Sequence, residues 1–300
     1  MRTEDVLRAQ ALRNAARAAL SANDIASLVQ AASELRELGA AGGDPQTLGY
    51  GHYYAAAAAF WRNDARKAVA EYRSALEAFR EAGDEHGMAR AMLGSATTAV
   101  HGEMDLVKAR QLYEEALPLV RALHDDKLLA ETLGKLGEVC QFEADYATSE
   151  RHTTEAITLY ERLGMASSMG VQYVSLAHLQ LLRRDYAASA ESMKRAYGLL
   201  REDPVPRRVA WYLDFSFVFA AARSHWETAA RLLGFTNRYR DECGVARLEL
   251  TPWFAHHIER VTAAVGADRL DTFLAEGESL TLEDVPALVA LLVEPGDQRP

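Results

Sequence analysis

The sequence predicts an all-α fold in which pairs of helices stack side by side and a C-terminal helical segment closes the stack. Three observations lead there. A short motif recurs about every forty residues along the 300-residue chain. Small and bulky residues keep fixed offsets inside each repeat. Between turn-like clusters the chain is rich in Ala, Leu, Glu and Arg, strong helix formers, and no period-two run of β-branched residues competes. Apolar types make up 49% and charged types 25%, so a packed core is expected rather than disorder.

The elements follow in order. Residues 1–22 read as one helix opening the first unit. Arg2, Glu4, Asp5, Arg8, Arg13 and Arg17 are spread through it, where a secretory signal requires an unbroken apolar run, so no targeting segment is expected. The turn Asn23-Asp24-Ile25 comes next, and Asn63-Asp64-Ala65, Met104-Asp105-Leu106, Ala144-Asp145-Tyr146 and Arg184-Asp185-Tyr186 resemble it. Their aspartates are 40, 41, 40 and 40 residues apart, and His225 takes the same place 40 further on.

Four residues after these positions come Leu28, Ala68, Ala109, Ser149, Ser189 and Ala229, and eight after come Ala32, Tyr72, Tyr113, Thr153, Met193 and Leu233. Eleven after come Leu35, Ala75, Ala116, Ala156, Ala196 and Thr236. Offsets of four, eight and eleven share one helical face, and small residues there allow close approach of a neighbouring helix. Upstream, Ala55-Ala56, Leu136-Gly137 and Leu176-Ala177 precede their aspartates by nine and eight residues, which marks a partner helix. Linkers between pairs are expected at Gly39–Pro45, Ala82–Asp84, Leu123–Asp126, Gly164–Ser168 and Glu202–Pro206. The uncharged run Leu163–Leu182 is too polar for a bilayer and reads as a loop followed by a buried helix.

The pattern resembles the tetratricopeptide (TPR) repeat. Leu136, Gly137, Asp145, Ala147, Thr153 and Ala156 show one unit, and Ala109, Tyr113 and Ala116 the second helix of another. Forty-residue variants are similar to the repeat regions of bacterial LuxR-type and AfsR-type regulators and related ATPases. Ala229-Ala230-Arg231-Leu232-Leu233-Gly234, then Phe273 and the segment Ala275–Asp284, resemble the closing segment of those regions. The resemblance implies a right-handed superhelical solenoid of about six TPR-like helix pairs over 1–245, with capping helices and a short tail over 246–300. It does not extend to ATP or DNA binding, since no GxxxxGK[ST] loop or room for a three-helix DNA reader exists in the sequence.

Charge narrows the partners. With 33 basic and 43 acidic residues the net charge is −10, which disfavours nucleic acid and anionic membranes. Two distant cysteines, Cys140 and Cys243, fit a reducing cytoplasm. Cys140 is expected as a buried, inert thiol, and His152/Glu155 and His256/Glu259 as solvated helix faces rather than metal ligands. No cofactor and no metal is expected.

The resemblance implies that one face of each first helix lines a concave surface. Counting back from the aspartates places Tyr50, Tyr53, Phe60 and Trp61 there in the second unit, and His101 with Ala91, Gly94, Thr98 and Gly102 in the third. Glu138, Gln141 and Phe142 follow with Glu131 and Gly134, then His178, then Trp211 and Asp214. This surface is apolar and aromatic with a few acids, and basic groups are absent from the counted positions. The expected function is non-catalytic binding, regulatory in kind, of a hydrophobic peptide, a protein segment or a lipophilic small molecule. A homodimer is a further expectation. A peptide-pheromone receptor is a narrower form, disfavoured because no asparagine lies on the counted positions. The alternative is an enzyme using His101, His178, Glu138 or Asp214 as acid or base. The bland alternative makes the aromatics core residues between helices.

Overall fold

The computed structural model describes residues 3–22, 24–245 and 252–293, and among them fifteen helices occur and no strand. The helices are α1 (Thr3–Ser21), α2 (Ile25–Gly42), α3 (Pro45–Trp61), α4 (Ala65–Ala82), α5 (Glu85–His101), α6 (Leu106–Ala122), α7 (Asp126–Phe142) and α8 (Tyr146–Arg162). They continue as α9 (Ala166–Leu182), α10 (Tyr186–Glu202), α11 (Pro206–Ala222), α12 (Trp226–Cys243), α13 (Pro252–Val265), α14 (Ala267–Gly277) and α15 (Val285–Leu291). The all-α fold of helix pairs is as expected. Asn23, the domain boundary placed at 245/246 and the tail beyond 293 lie wholly or partly outside the described residues. None of the described helices is long and apolar enough to cross a membrane.

Each helix with its turn spans about twenty residues, so a pair spans about forty. From α2 to α12 every helix has seventeen or eighteen residues, and two to four residues join each to the next. Most of these turns are built alike. A residue in the left-handed region ends one helix, at Gly43, Asn63, Gly83, Met104, His124, Ala144, Gly164, Arg184, Ser224 and Gly244. For all but Gly244, the residue after it begins the next helix as N-cap. Asp24, Asp64, Asp105, Asp145 and Asp185 do this within pairs, each accepting a backbone N–H three residues on. Between pairs, Asp84 and Asp125 do the same, and Asp44 accepts the backbone N–H of Gln46, two residues on. An N-cap carboxylate satisfies an otherwise unpaired helix donor and suits the positive end of the helix dipole. The expected linkers are therefore ordinary helix-to-helix turns, and Ser167 and Ser168, read as loop, lie buried in α9.

The chain divides into two compact units, residues 1–152 and 153–300, with the division inside α8. In the first, Leu28, Ala68, Ala109 and Ser149 are fully buried, as are Leu35, Ala75 and Ala116. The second repeats this with Ser189, Ala229, Met193 and Ala196. Serine replaces alanine where its hydroxyl has a partner: Ser149 Oγ donates to the Gly137 carbonyl at 2.7 Å, and Ser189 Oγ to that of Ala177 at 2.8 Å. A buried hydroxyl left unmet would cost about 1–3 kcal/mol. Gly94 lies directly against the Tyr72 ring, with no room for a Cβ.

Within the first unit α1, α3, α5 and α7 pack on one another in succession, whereas no comparable packing joins α2, α4 and α6. The first helix of each pair thus lines the tighter side of that unit. In the second unit α11 packs on α9, and α13, α14 and α15 cover α11 and α12. Arg223 fastens this cover: its guanidinium stacks 3.7 Å from the Tyr186 ring centre and donates to the carbonyls of Leu292 (3.0 Å) and Val293 (2.8 Å) at the end of α15.

Candidate functional site

The first-helix face of the first unit is dominated by α3. Tyr50 is buried, its ring edge-on to Phe79 at 4.8 Å, and Tyr53 is half-buried, edge-on to Tyr54 at 5.2 Å and to Tyr72 at 5.8 Å. Phe60 is half-buried and meets Trp61 edge-on at 5.4 Å, while Trp61 remains 37% exposed. Tyr50 is core, and Trp61 faces solvent at the end of its helix.

The α5 positions shift by one. The extra residue of this repeat lies after the helix, in the four-residue turn Gly102–Asp105, so counting must run from the N-cap Asp84. That puts Arg90, Leu93, Thr97 and Val100 where Tyr50, Tyr53, Ala57 and Phe60 lie on α3, and His101 where Trp61 lies. Ala91 and Thr98, counted as inner residues, are instead fully packed inside. On α1, counting back from Asp24 as Tyr53 and Ala57 are counted back from Asp64 gives Arg13 and Arg17.

This corrects the expectation that the surface has no basic groups. The Arg13 guanidinium lies 3.6 Å from the centre of the Tyr50 ring. Arg90 of α5 and Glu131 of α7 act electrostatically on Tyr53 and on each other. Arg13, Arg17 and Arg90 all act electrostatically on Tyr54. Burial raises the phenol pKa of Tyr50, Tyr53 and Tyr54 despite these cations.

Further along the face, His101 Nε2 lies 3.9 Å from Glu138 Oε1, and Lys135 Nζ donates to Glu138 Oε2 at 2.9 Å. Burial lowers the His101 pKa against the pull of Glu138. Burial would raise Glu138, but Lys135 and His101 outweigh it and hold the carboxylate below its usual range. Thr97 Oγ1 meets Tyr113 Oη at 2.8 Å. Gln141 is buried with its Nε2 unmatched by a hydrogen bond, and Phe142 is 42% exposed.

In the second unit His178 is half-buried beside Phe215, 5.2 Å between ring centres, and burial together with His257 presses its pKa down to about 4. Trp211 is half-buried against the core. Asp214 is 2% exposed and forms an ion pair with Arg240 of α12, itself 4% exposed. Burial raises the Asp214 carboxyl to about 6 against the pull of Arg240. Asp214 is thus committed to a structural pair inside the unit. Cys140 is fully buried with its thiol pushed up to about 11, as expected of an inert cysteine. His152, read as solvated, is buried, whereas His256 and Glu259 are exposed as expected. Among the described residues no three His, Cys, Asp or Glu side chains gather as a metal site.

No family model matches the chain, and no curated protein matches its sequence. Its fold is similar to that of solved structures. One is BtubC (BKLC) from P. vanneervenii, 18% identical with a TM-score of 0.55, covering 86% of this chain and 92% of that one. Another is the apo form of RapI, 11% identical with a TM-score of 0.61, covering 88% of this chain and 99% of that one. Both are TPR-like helical repeats, and the likeness extends to the fold.

Proposed function

We propose that the chain is a binding module of regulatory type, without catalysis of its own, whose first-helix face receives a peptide or protein segment. The observation that supports this most directly is the pair of exposed aromatics, Trp61 at 37% and Phe142 at 42%, at the ends of α3 and α7 in one unit. Large aromatics at a surface are the usual anchors of protein association. The half-buried Tyr53 and Phe60 extend the same strip along α3. Chain segments with apolar side chains, including an amphipathic helix, suit such a strip. The protein-interaction role fits a TPR-like repeat, and the likeness of the closing segment to bacterial regulators supports a regulatory setting.

The test is mass spectrometry of what copurifies with the chain, followed by calorimetry of each recovered ligand with the parent, Trp61→Ala and Phe142→Ala. A loss of about 1–3 kcal/mol in binding is expected for each variant. Unchanged affinity in both would show that the ligand binds elsewhere.

A further inference from the structure

The short helix α15 buries one side and leaves the other bare. Its side chains, Val285 to Leu291, are all apolar. A helix apolar on every side is normally covered on every side. Here Val285 and Val289, with Leu292 just beyond, are buried where α15 packs on α10 and α11. Ala287, Ala290 and Leu291 face solvent, Leu291 being 70% exposed. The sequence that follows, 294–300, contains no large apolar side chain that could cover them.

Beside this bare side, between α10 and α15, lies a hollow of about 460 Å³. Ala187 and Ala190 of α10 form one wall, and Pro286, Val289 and Ala290 of α15 the other. Its polar lining is Glu191 and Lys194, both exposed at the rim. With no buried polar group to orient a small ligand, the hollow offers shape and apolar surface alone. Lys194 makes no ion pair among the described residues, and Glu191 lies 3.6 Å from the equally exposed Arg195.

We propose that this face joins two copies of the chain about a two-fold axis, the Leu291 side chain of each entering the hollow of the other. A two-fold contact applies one patch to itself, so that patch must carry both the knob and the hole. Leu291 follows Ala290, which lines the hollow, so knob and hole lie side by side. The rim is self-complementary in the same way. It carries one carboxylate and one ammonium, and the two-fold operation sets Glu191 of one copy against Lys194 of the other. Removal of Leu291 and its alanine neighbours from water drives the association. Centred on a helix about 10 Å long, the contact is smaller than the roughly 800 Å² per partner of a standard interface. Association is therefore reversible, with a dissociation constant on the order of micromolar. The face belongs to the second unit and shares no residue with the strip of Trp61 and Phe142, so the two proposals are independent.

The experiment is sedimentation velocity of the intact chain from low to high micromolar concentration. The parent is expected to pass from monomer to dimer. Leu291→Asp should remain monomeric throughout, since it would carry a charge into an apolar hollow. Ala290→Gln fills the hollow while leaving Leu291 in place, and should weaken association about tenfold or more. The rim is tested by charge exchange. Glu191→Lys makes both rim charges positive and Lys194→Glu makes both negative, so each variant alone should dimerise more weakly than the parent. An equimolar mixture of the two should associate about as well as the parent, because opposite charges then face each other. A parent that stays monomeric overturns the proposal, as does a dimer that Leu291→Asp leaves unchanged. A monomeric parent that holds an apolar helical peptide through Leu291 gives the face to a different partner and equally overturns it. If the mixture gains nothing over its components, the two-fold pairing is wrong and the proposal falls. Thermal melts, expected within a few degrees of the parent because all four altered residues are exposed, separate lost association from lost folding.

Discussion

Gly234 of α12 and Gly277 of α14 meet where these two helices cross, and neither has room for a side chain. A Cβ on Gly234 would strike the Leu274 carbonyl, and one on Gly277 the Arg231 carbonyl. Backbone rests on backbone, reinforced by Arg231, which bonds Glu276 at 2.7 Å and lies 4.7 Å from the Phe273 ring centre. The stretches around Gly234 and Gly277 are thus the two sides of one helix crossing.

Gly234→Ala and Gly277→Ala are each expected to destabilise the second unit by about 1–3 kcal/mol, because the crossing must open to admit a methyl group. Gly198 is the control. It lies in the interior of α10 with open space around it, so Gly198→Ala should stabilise by about 0.5–1 kcal/mol through helix propensity alone. Urea unfolding of the three variants checks this, and a Gly234 variant as stable as the parent would contradict the close crossing.

Met104 and Ala144 hold left-handed backbone without being glycine, with φ of 55° and 60°. A side chain there costs about 1–2 kcal/mol, part of which glycine returns through the greater freedom of its unfolded chain. Met104→Gly and Ala144→Gly should therefore each raise stability, by roughly 0.5–1 kcal/mol. Denaturant midpoints would show the rise, and a fall in either would mean the turn does not adopt this shape.

Met165 begins α9 in the place that aspartate fills elsewhere, with φ −92° and ψ 69° but no side-chain cap. Met165→Asp is expected to add about 1 kcal/mol, and Asp125→Ala at the start of α7 to remove about as much. Thermal melts on both variants test the equivalence of the two positions.

Acid should weaken the second unit. Burial holds His178 and His257 at about 4, below the 6.5 of an exposed imidazole. The unfolded chain therefore binds more protons between those values, so stability is complete above about pH 6.5 and falls as pH drops toward 4. Asp214, raised to about 6 from 3.8, acts in the opposite sense over part of that window. Denaturant titrations from pH 7 to pH 4 should show a net loss that shrinks in His178→Gln and His257→Gln. A flat profile in the parent would refute the burial of these rings.

Much of this architecture is legible before any coordinates. Ala68, Ala109, Ser149 and Ala229 mark second helices because close packing tolerates little bulk there, and a bulky column eight residues after the turn marks the other half of the contact. The twenty-residue beat was present too, in Asp44, Asp84 and Asp125, but their turns look like linkers unless the cap geometry is known. The arginine cluster was missed for a different reason. A single inserted residue moves the count by one, and on a helix that turns attention from Arg90 to its buried neighbour Ala91. Nor does sequence tell whether an aromatic such as Tyr50 or Trp61 is covered, since that depends on the next helix over.

Because the turn inside a pair and the turn between pairs are made from the same parts, no local signal says which helix is first and which second. That assignment rests on the side-chain columns alone. Excising one helix with its turn, about twenty residues, would leave every remaining corner intact yet exchange the roles of all helices beyond it. Loss or gain of two helices together preserves the scheme, so the molecule's natural unit of evolutionary lengthening is the pair, even though its unit of construction is the single helix.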